Sequence, residues 1–201
     1  MSIRNSESRN SEGGNSEGSV EKKILDAAAE CVLAYGVERT TMTEIARRAR
    51  VSRPTIYRRW PDIRWVIAEL LTVRITGALQ DVPEKGSGRE ALVDRVVALA
   101  EHLRNDEIVM SVLVSAPSLA MVYIAERLGA SQKILVDVLA EAIKAAQRDG
   151  SVRPGDPRQM AAMCLLITQS TIQSAQMVEA LLDRGALNVE LAHSLNGYLK
   201  T

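Results

Sequence analysis

Eight arginines fall between positions 37 and 66: Arg39, Arg47, Arg48, Arg50, Arg53, Arg58, Arg59 and Arg64. Three carboxylates, Glu38, Glu44 and Asp62, share that stretch. The whole chain carries 25 basic and 25 acidic residues, so this segment is a positive patch on an otherwise acidic molecule. A guanidinium grips phosphate oxygens, and it can hold O6 and N7 of guanine with two hydrogen bonds at once. Hydroxyls sit among the arginines at Ser52, Thr55 and Tyr57, and hydroxyls suit phosphate oxygens. The chemistry offered here is recognition of a polyanion rather than the making or breaking of bonds.

Other chemistry is thinly supplied. The two cysteines, Cys31 and Cys164, lie far apart and each falls in an apolar helical stripe. There a free cysteine behaves as a small hydrophobe, not as a disulfide partner or metal ligand. His102 and His193 have no neighbouring ligand set and read as surface or boundary residues. The chain has no glycine-rich phosphate loop, no metal-spaced Cys/His cluster and no nucleophile elbow. The reading is therefore of a chain that is not an enzyme and needs no cofactor. The longest apolar runs fall far short of a membrane span, and no basic segment followed by an apolar stretch opens the chain. A cytoplasmic protein without a membrane partner is expected.

The elements that must position the arginines follow from periodicity. Residues 1–18 are almost all Ser, Asn, Glu, Gly and Arg, with Asn-Ser-Glu recurring at Asn5, Asn10 and Asn15. Such a segment lacks the apolar surface to offset its ordering entropy, so a disordered tail is expected. From Val20 a helix begins, with Val20, Ile24, Ala27, Ala28, Cys31, Val32 and Tyr35 on one face and Gly36 as its stop. Thr41 and Glu44 form a capping-box pattern ahead of Met42, Ile45, Ala46 and Ala49. After Arg50 and Val51, Ser52 caps another short helix, with Pro54 in its first turn and Ile56 and Trp60 on its inner face. Pro54 and Arg58 then face outward, flanked by Arg53, Thr55 and Tyr57. Short helix, tight turn and short helix is the shape that puts a second helix into the major groove. A solvated basic face on an ordinary bundle is the alternative.

The run Thr41-Met42-Thr43-Glu44-Ile45-Ala46-Arg47-Arg48-Ala49-Arg50-Val51-Ser52-Arg53-Pro54-Thr55-Ile56-Tyr57-Arg58-Arg59-Trp60-Pro61-Asp62 resembles the tetracycline-repressor (TetR) family of bacterial regulators. The resemblance covers about 20–70; beyond it only helix number and chain length agree. It implies a backbone contact by Thr41, a recognition-helix start at Ser52, Arg53, Pro54 and Thr55, and a phosphate-binding tyrosine at Tyr57. Arg58 falls at a variable base or phosphate contact. Ile56 and Trp60 match core positions, Trp60 standing where phenylalanine is commoner. Ile63 stands where the family often has a lysine; Arg64, just after it, either takes over that phosphate contact or leaves it unmade.

Beyond a loop containing Pro83, Gly86 and Gly88 the chain reads as helix throughout. Stripes are predicted at Leu92, Val93, Val96, Ala100 and Leu103, and at Ile134, Val138, Ala142 and Ala145. Asn105 and Asp106 start a shorter helix. Asp156, Pro157 and Gln159 make a strong helix start. The expected fold is all-α: a helix-turn-helix domain over 19–66 and a larger helical ligand-binding and dimerisation domain over 67–201. The resemblance implies a homodimer joined by the last two long helices, 157–183 and 188–199. Cys164, Ile167, Thr171, Ala175, Val178 and Leu182 are the candidate interface, an ordinary core stripe being the alternative. A dimer places two recognition helices about 34–36 Å apart, so double-stranded DNA with an inverted repeat is the implied partner. The resemblance also implies an effector that enters among the middle helices and shifts the connector helix over 62–80. Met110, Leu113, Val114, Met121, Tyr123 and Met163 are the candidate pocket for a small hydrophobic molecule, since methionine adapts to irregular apolar shapes. The rival function is a helical interaction module that keeps the fold without binding DNA.

Overall fold

The computed structural model describes residues 12–115 and 129–201, with side chains over 18–113 and 129–201. Among these residues the chain is all α. The helices are α1 (Glu12–Tyr35), α2 (Met42–Ala49), α3 (Arg53–Arg59), α4 (Ile63–Asp81), α5 (Gly88–Asn105), α6 (Glu107–Ser115), α7 (Ala130–Arg148), α8 (Pro157–Val178) and α9 (Arg184–Leu199). They fall into two compact units that divide between Leu70 and Leu71. That is one helical turn later than the expected boundary.

In the first unit α1 packs on α2 and α2 on α3, and Ile24, Ala27, Ala28, Cys31 and Val32 of α1, Ile45 and Ala46 of α2 and Ile56 of α3 are all buried. Gly36 ends α1 with a left-handed φ of 77°, and the buried Thr40 hydroxyl donates to the Gly36 carbonyl at 2.8 Å. Two expectations about α1 are corrected. Residues 12–18, expected within a disordered tail, are helical. Once a core-anchored turn exists, each further residue adds a hydrogen bond without a new nucleus. Tyr35, expected on the buried face, is exposed, and its hydroxyl accepts from Arg48 at 3.0 Å. Residues 1–11 lie outside the described residues.

In the second unit α7 and α8 pack along each other, α5 lies against α7, α8 and α9, and α9 returns onto α8. Leu92, Val93, Val96, Ala100 and Leu103 of α5 are buried as the stripe predicts. On α7 the buried set is Ser131, Leu135, Val136, Ala140, Ile143 and Ala146, not the stripe through Ile134, Val138, Ala142 and Ala145. That helix is apolar around most of its circumference, so periodicity alone allows more than one stripe. The last helix starts earlier than expected because Asp183 caps it, accepting from the Ala186 N–H at 2.8 Å. Among the described residues no helix is long and apolar enough to cross a membrane, and no group of His, Cys, Asp and Glu could hold a metal ion.

Candidate nucleic-acid interface

The helix pair α2–α3 is built by its caps. Thr41 Oγ1 accepts from the Glu44 N–H at 3.2 Å. The Glu44 carboxylate does not complete the reciprocal half of the box. It is taken by Arg47 instead, at 2.6 and 3.0 Å, and the Arg47 guanidinium holds that carboxyl below its usual range. A charge-assisted bidentate bond outcompetes a bond to a backbone N–H. At the other end of α2, Arg50 takes a left-handed conformation, φ 56° and ψ 42°, and the Val51 N–H reaches back to the Ala46 carbonyl at 3.0 Å. This tight turn delivers the chain to α3.

On α3, Ser52 Oγ caps the Thr55 N–H at 3.2 Å, and the Ser52 and Thr55 hydroxyls share one hydrogen bond of 2.7 Å. Two hydroxyls with one bond between them leave one O–H for an outside acceptor. Pro54 sits in the first turn. Ile56 is fully buried and Trp60 nearly so, while Trp60 Nε1 donates to Glu69 on α4 at 2.7 Å. These inner anchors turn the opposite face outward: Ser52, Arg53, Pro54, Tyr57 and Arg58 are exposed, and Thr55 is half-buried. Tyr57 shows 49% of its surface, which for an aromatic ring demands an occupant or a reason.

Apart from Arg58, the arginines divide into two groups. Arg47 and Arg48 pair with Glu44, Arg48 also with Glu30, and Arg59 with Glu21 and Glu69. Arg64 is engaged by Asp62 at 2.7 Å, and the Arg64 guanidinium holds the Asp62 carboxyl below its usual range. Arg39, Arg50 and Arg53 are exposed and make no ion pair or side-chain hydrogen bond among the described residues. A face with free guanidiniums, a phenol and hydroxyls around a helix held by Ile56 and Trp60 can bind phosphates and read base edges.

Residues 24–70 match the family described as bacterial regulatory proteins, tetR family. The chain is 58% identical, over 88% of its length, to an uncharacterized HTH-type transcriptional regulator of Mycobacterium tuberculosis strain H37Rv, covering 93% of that protein. A counterpart from Mycobacterium bovis gives the same identity and the same coverage. The chain belongs to the TetR family. TetR-family proteins are transcriptional regulators, not enzymes, and their helix-turn-helix binds DNA. The fold agrees across the chain: the TetR-family repressor QsdR of Rhodococcus erythropolis superposes with a TM-score of 0.66 at 16% identity, covering 92% of this chain and 97% of that one. FadR of Bacillus subtilis, solved in complex with stearoyl-CoA, gives 0.64 at 21% identity over 89% and 98%.

The second unit redistributes the remaining candidates. Of the interface set, Cys164 is fully buried within this chain, and burial pushes its thiol up to about 11. It cannot line a surface. Ile167, Thr171, Ala175, Val178 and Leu182 are half-buried. The exposed apolar residues lie one position away, at Met163, Leu166, Met177 and Leu181, with Val189 on α9. Met163, a pocket candidate, belongs with that exposed set. Met110 and Leu113 are half-buried on α6. Met121 and Tyr123 lie outside the described residues, as does the Val114 side chain. Sequence reasoning also missed Trp65, 57% exposed on the first turn of α4; nothing in the local pattern separates it from the buried Val66 and Ile67.

Proposed function

We propose that this TetR-family regulator binds an inverted-repeat operator as a homodimer, represses by occluding the DNA, and is released by a small hydrophobic effector. The outward face of α3 carries the proposal. Arg53 and Tyr57 stand exposed on a helix locked from behind by Ile56 and Trp60. Such a helix presents its side chains in one geometry, as base readout requires. The proposed contacts are Thr41, Ser52, Arg53, Pro54, Thr55, Tyr57 and Arg58. Arg64 joins them by exchanging the Asp62 carboxylate for a phosphate.

The dimer is supported by the exposed apolar stripe on α8. Leu166 and Met177 show 60% and 80% of their surface, and a row of such residues on two adjacent helices suits burial against a second copy. The effector reading rests on Met110 and Leu113 of α6 and on a fold that accommodates stearoyl-CoA in FadR. An effector acts only if it prefers the conformation that binds DNA poorly.

Fluorescence anisotropy on DNA flanking the protein's own gene, across a salt series, tests the proposal. A dimer contacting about 6–10 phosphates loses roughly 10³–10⁵ in affinity between 50 and 200 mM salt. Two protomers per site and a salt-steep isotherm are expected. Absence of binding there and in a selection from random DNA would leave the interaction-module reading.

A further inference from the structure

We propose that Arg50, in the turn between α2 and α3, is a DNA phosphate contact, and that its side chain is kept there at the expense of fold stability. The proposal rests on the DNA-binding reading above and adds a residue to it. Among the described residues Arg50 is the one non-glycine with a positive φ, at 56°. The left-handed region costs a residue with a Cβ free energy that glycine avoids, and only short polar side chains such as asparagine commonly offset it.

Nothing in the fold asks for an arginine at this position. The turn is closed by backbone groups: the Arg50 N–H donates to the Arg47 carbonyl at 3.3 Å, and the Val51 N–H to the Ala46 carbonyl at 3.0 Å. Glycine supplies the same bonds without the steric cost. The Arg50 side chain is exposed and makes no ion pair or hydrogen bond among the described residues. By contrast Arg47, Arg48, Arg59 and Arg64 are each held by a carboxylate. Arg53, three residues on, breaks a local rule in the same sense, since a cation in the first turn of a helix opposes the helix dipole. Two unpaired guanidiniums, each locally unfavourable, bracket the Ser52 cap. Local rules are broken together where function compensates. Arg50 sits in the turn before the recognition helix rather than on its outward face. Its partner is therefore a phosphate, which positions the helix without reading sequence.

The test uses the full chain and four proteins: wild type, Arg50→Gly, Arg50→Lys, and Lys22→Gln as a control that removes one charge from the exposed surface of α1. Melting temperature and operator affinity are measured across a salt series. Arg50→Gly is expected to melt higher than wild type yet bind operator about five- to tenfold more weakly at 100 mM salt. Its slope of log K against log salt should fall by about 0.9 per protomer. Arg50→Lys should restore most of the slope, because a phosphate accepts a point charge. Lys22→Gln should leave the slope within half of that change. An Arg50→Gly protein that melts higher with unchanged affinity and slope overturns the proposal. So does a loss matched by Lys22→Gln, which would reduce Arg50 to diffuse charge. If wild type itself binds no DNA, the underlying reading falls, and the proposal with it.

Discussion

At the scale of single residues, buried groups set the stability of each unit and exposed ones its function. Trp60 combines both halves of the first unit's core, filling space behind α3 and bonding Glu69 through Nε1. Trp60→Phe keeps most of the packing and leaves Glu69 with only its ion pair to Arg59 at 3.5 Å. A loss of about 0.5–1.5 kcal/mol in urea unfolding is expected, whereas Trp60→Ala should cost about 3–5 kcal/mol. A phenylalanine variant as stable as wild type would show that the bond contributes nothing. Cys164 makes a pH-dependent contribution. Its thiol is raised from an ordinary 9.0 to about 11 by burial, so the folded state holds the proton more tightly than the unfolded chain. The resulting stability is fully present below pH 9 and is lost as pH rises from there to about 11. Comparing wild type with Cys164→Ala isolates it. The stability advantage of wild type should narrow across that interval, and a constant difference would contradict the assignment.

At the scale of elements, caps decide where helices begin. Asp106 accepts from the Ile108 and Val109 N–H groups at 2.9 and 3.0 Å, starting α6, and takes Arg74 of α4 at 2.7 Å through its other oxygen. Asp106→Ala removes a cap and a charge-assisted bond together, so about 2–4 kcal/mol should be lost in denaturant unfolding. A loss below about 1 kcal/mol would show that water replaces both. Such caps are what made the fold legible. Ser52, Asp106 and Asp156 announce α3, α6 and α8 by type and spacing, and the α5 stripe has polar residues on its far side that fix its orientation. The candidate interface was legible in part for the opposite reason. On α7 and α8 apolar residues cover most of the circumference, so the choice of stripe depends on which neighbours pack where. Cys164, which fits both a core and an interface position by sequence, is buried, and Met163, a pocket candidate, is exposed. On α2, Glu44 faced two suitors, and sequence spacing does not show that Arg47 outbids a backbone N–H. Trp65 and the strained Arg50 carry no local signal at all.

At the scale of the whole molecule, the proposed regulator depends on two copies. Neither recognition helix alone buries enough surface for tight, specific binding, and an inverted repeat is read only when the two are held at fixed spacing. Placing glutamates at Leu166 and Met177 puts charges on the exposed apolar face of α8 without entering the core. The variant should sediment as a monomer, keep its helical circular dichroism, and bind operator at least a hundredfold more weakly. A dimer with wild-type affinity would move the interface elsewhere. The central claim, that the outer face of α3 holds DNA, is tested most directly by the double variant Arg53→Ala, Tyr57→Phe. Both side chains are exposed and neither anchors the core, so the melting temperature should be no lower than wild type and the dimer mass should match it. Operator affinity at fixed salt is the measurement: a loss of tenfold or more is expected, and an unchanged affinity in a normally folded dimer would contradict the account.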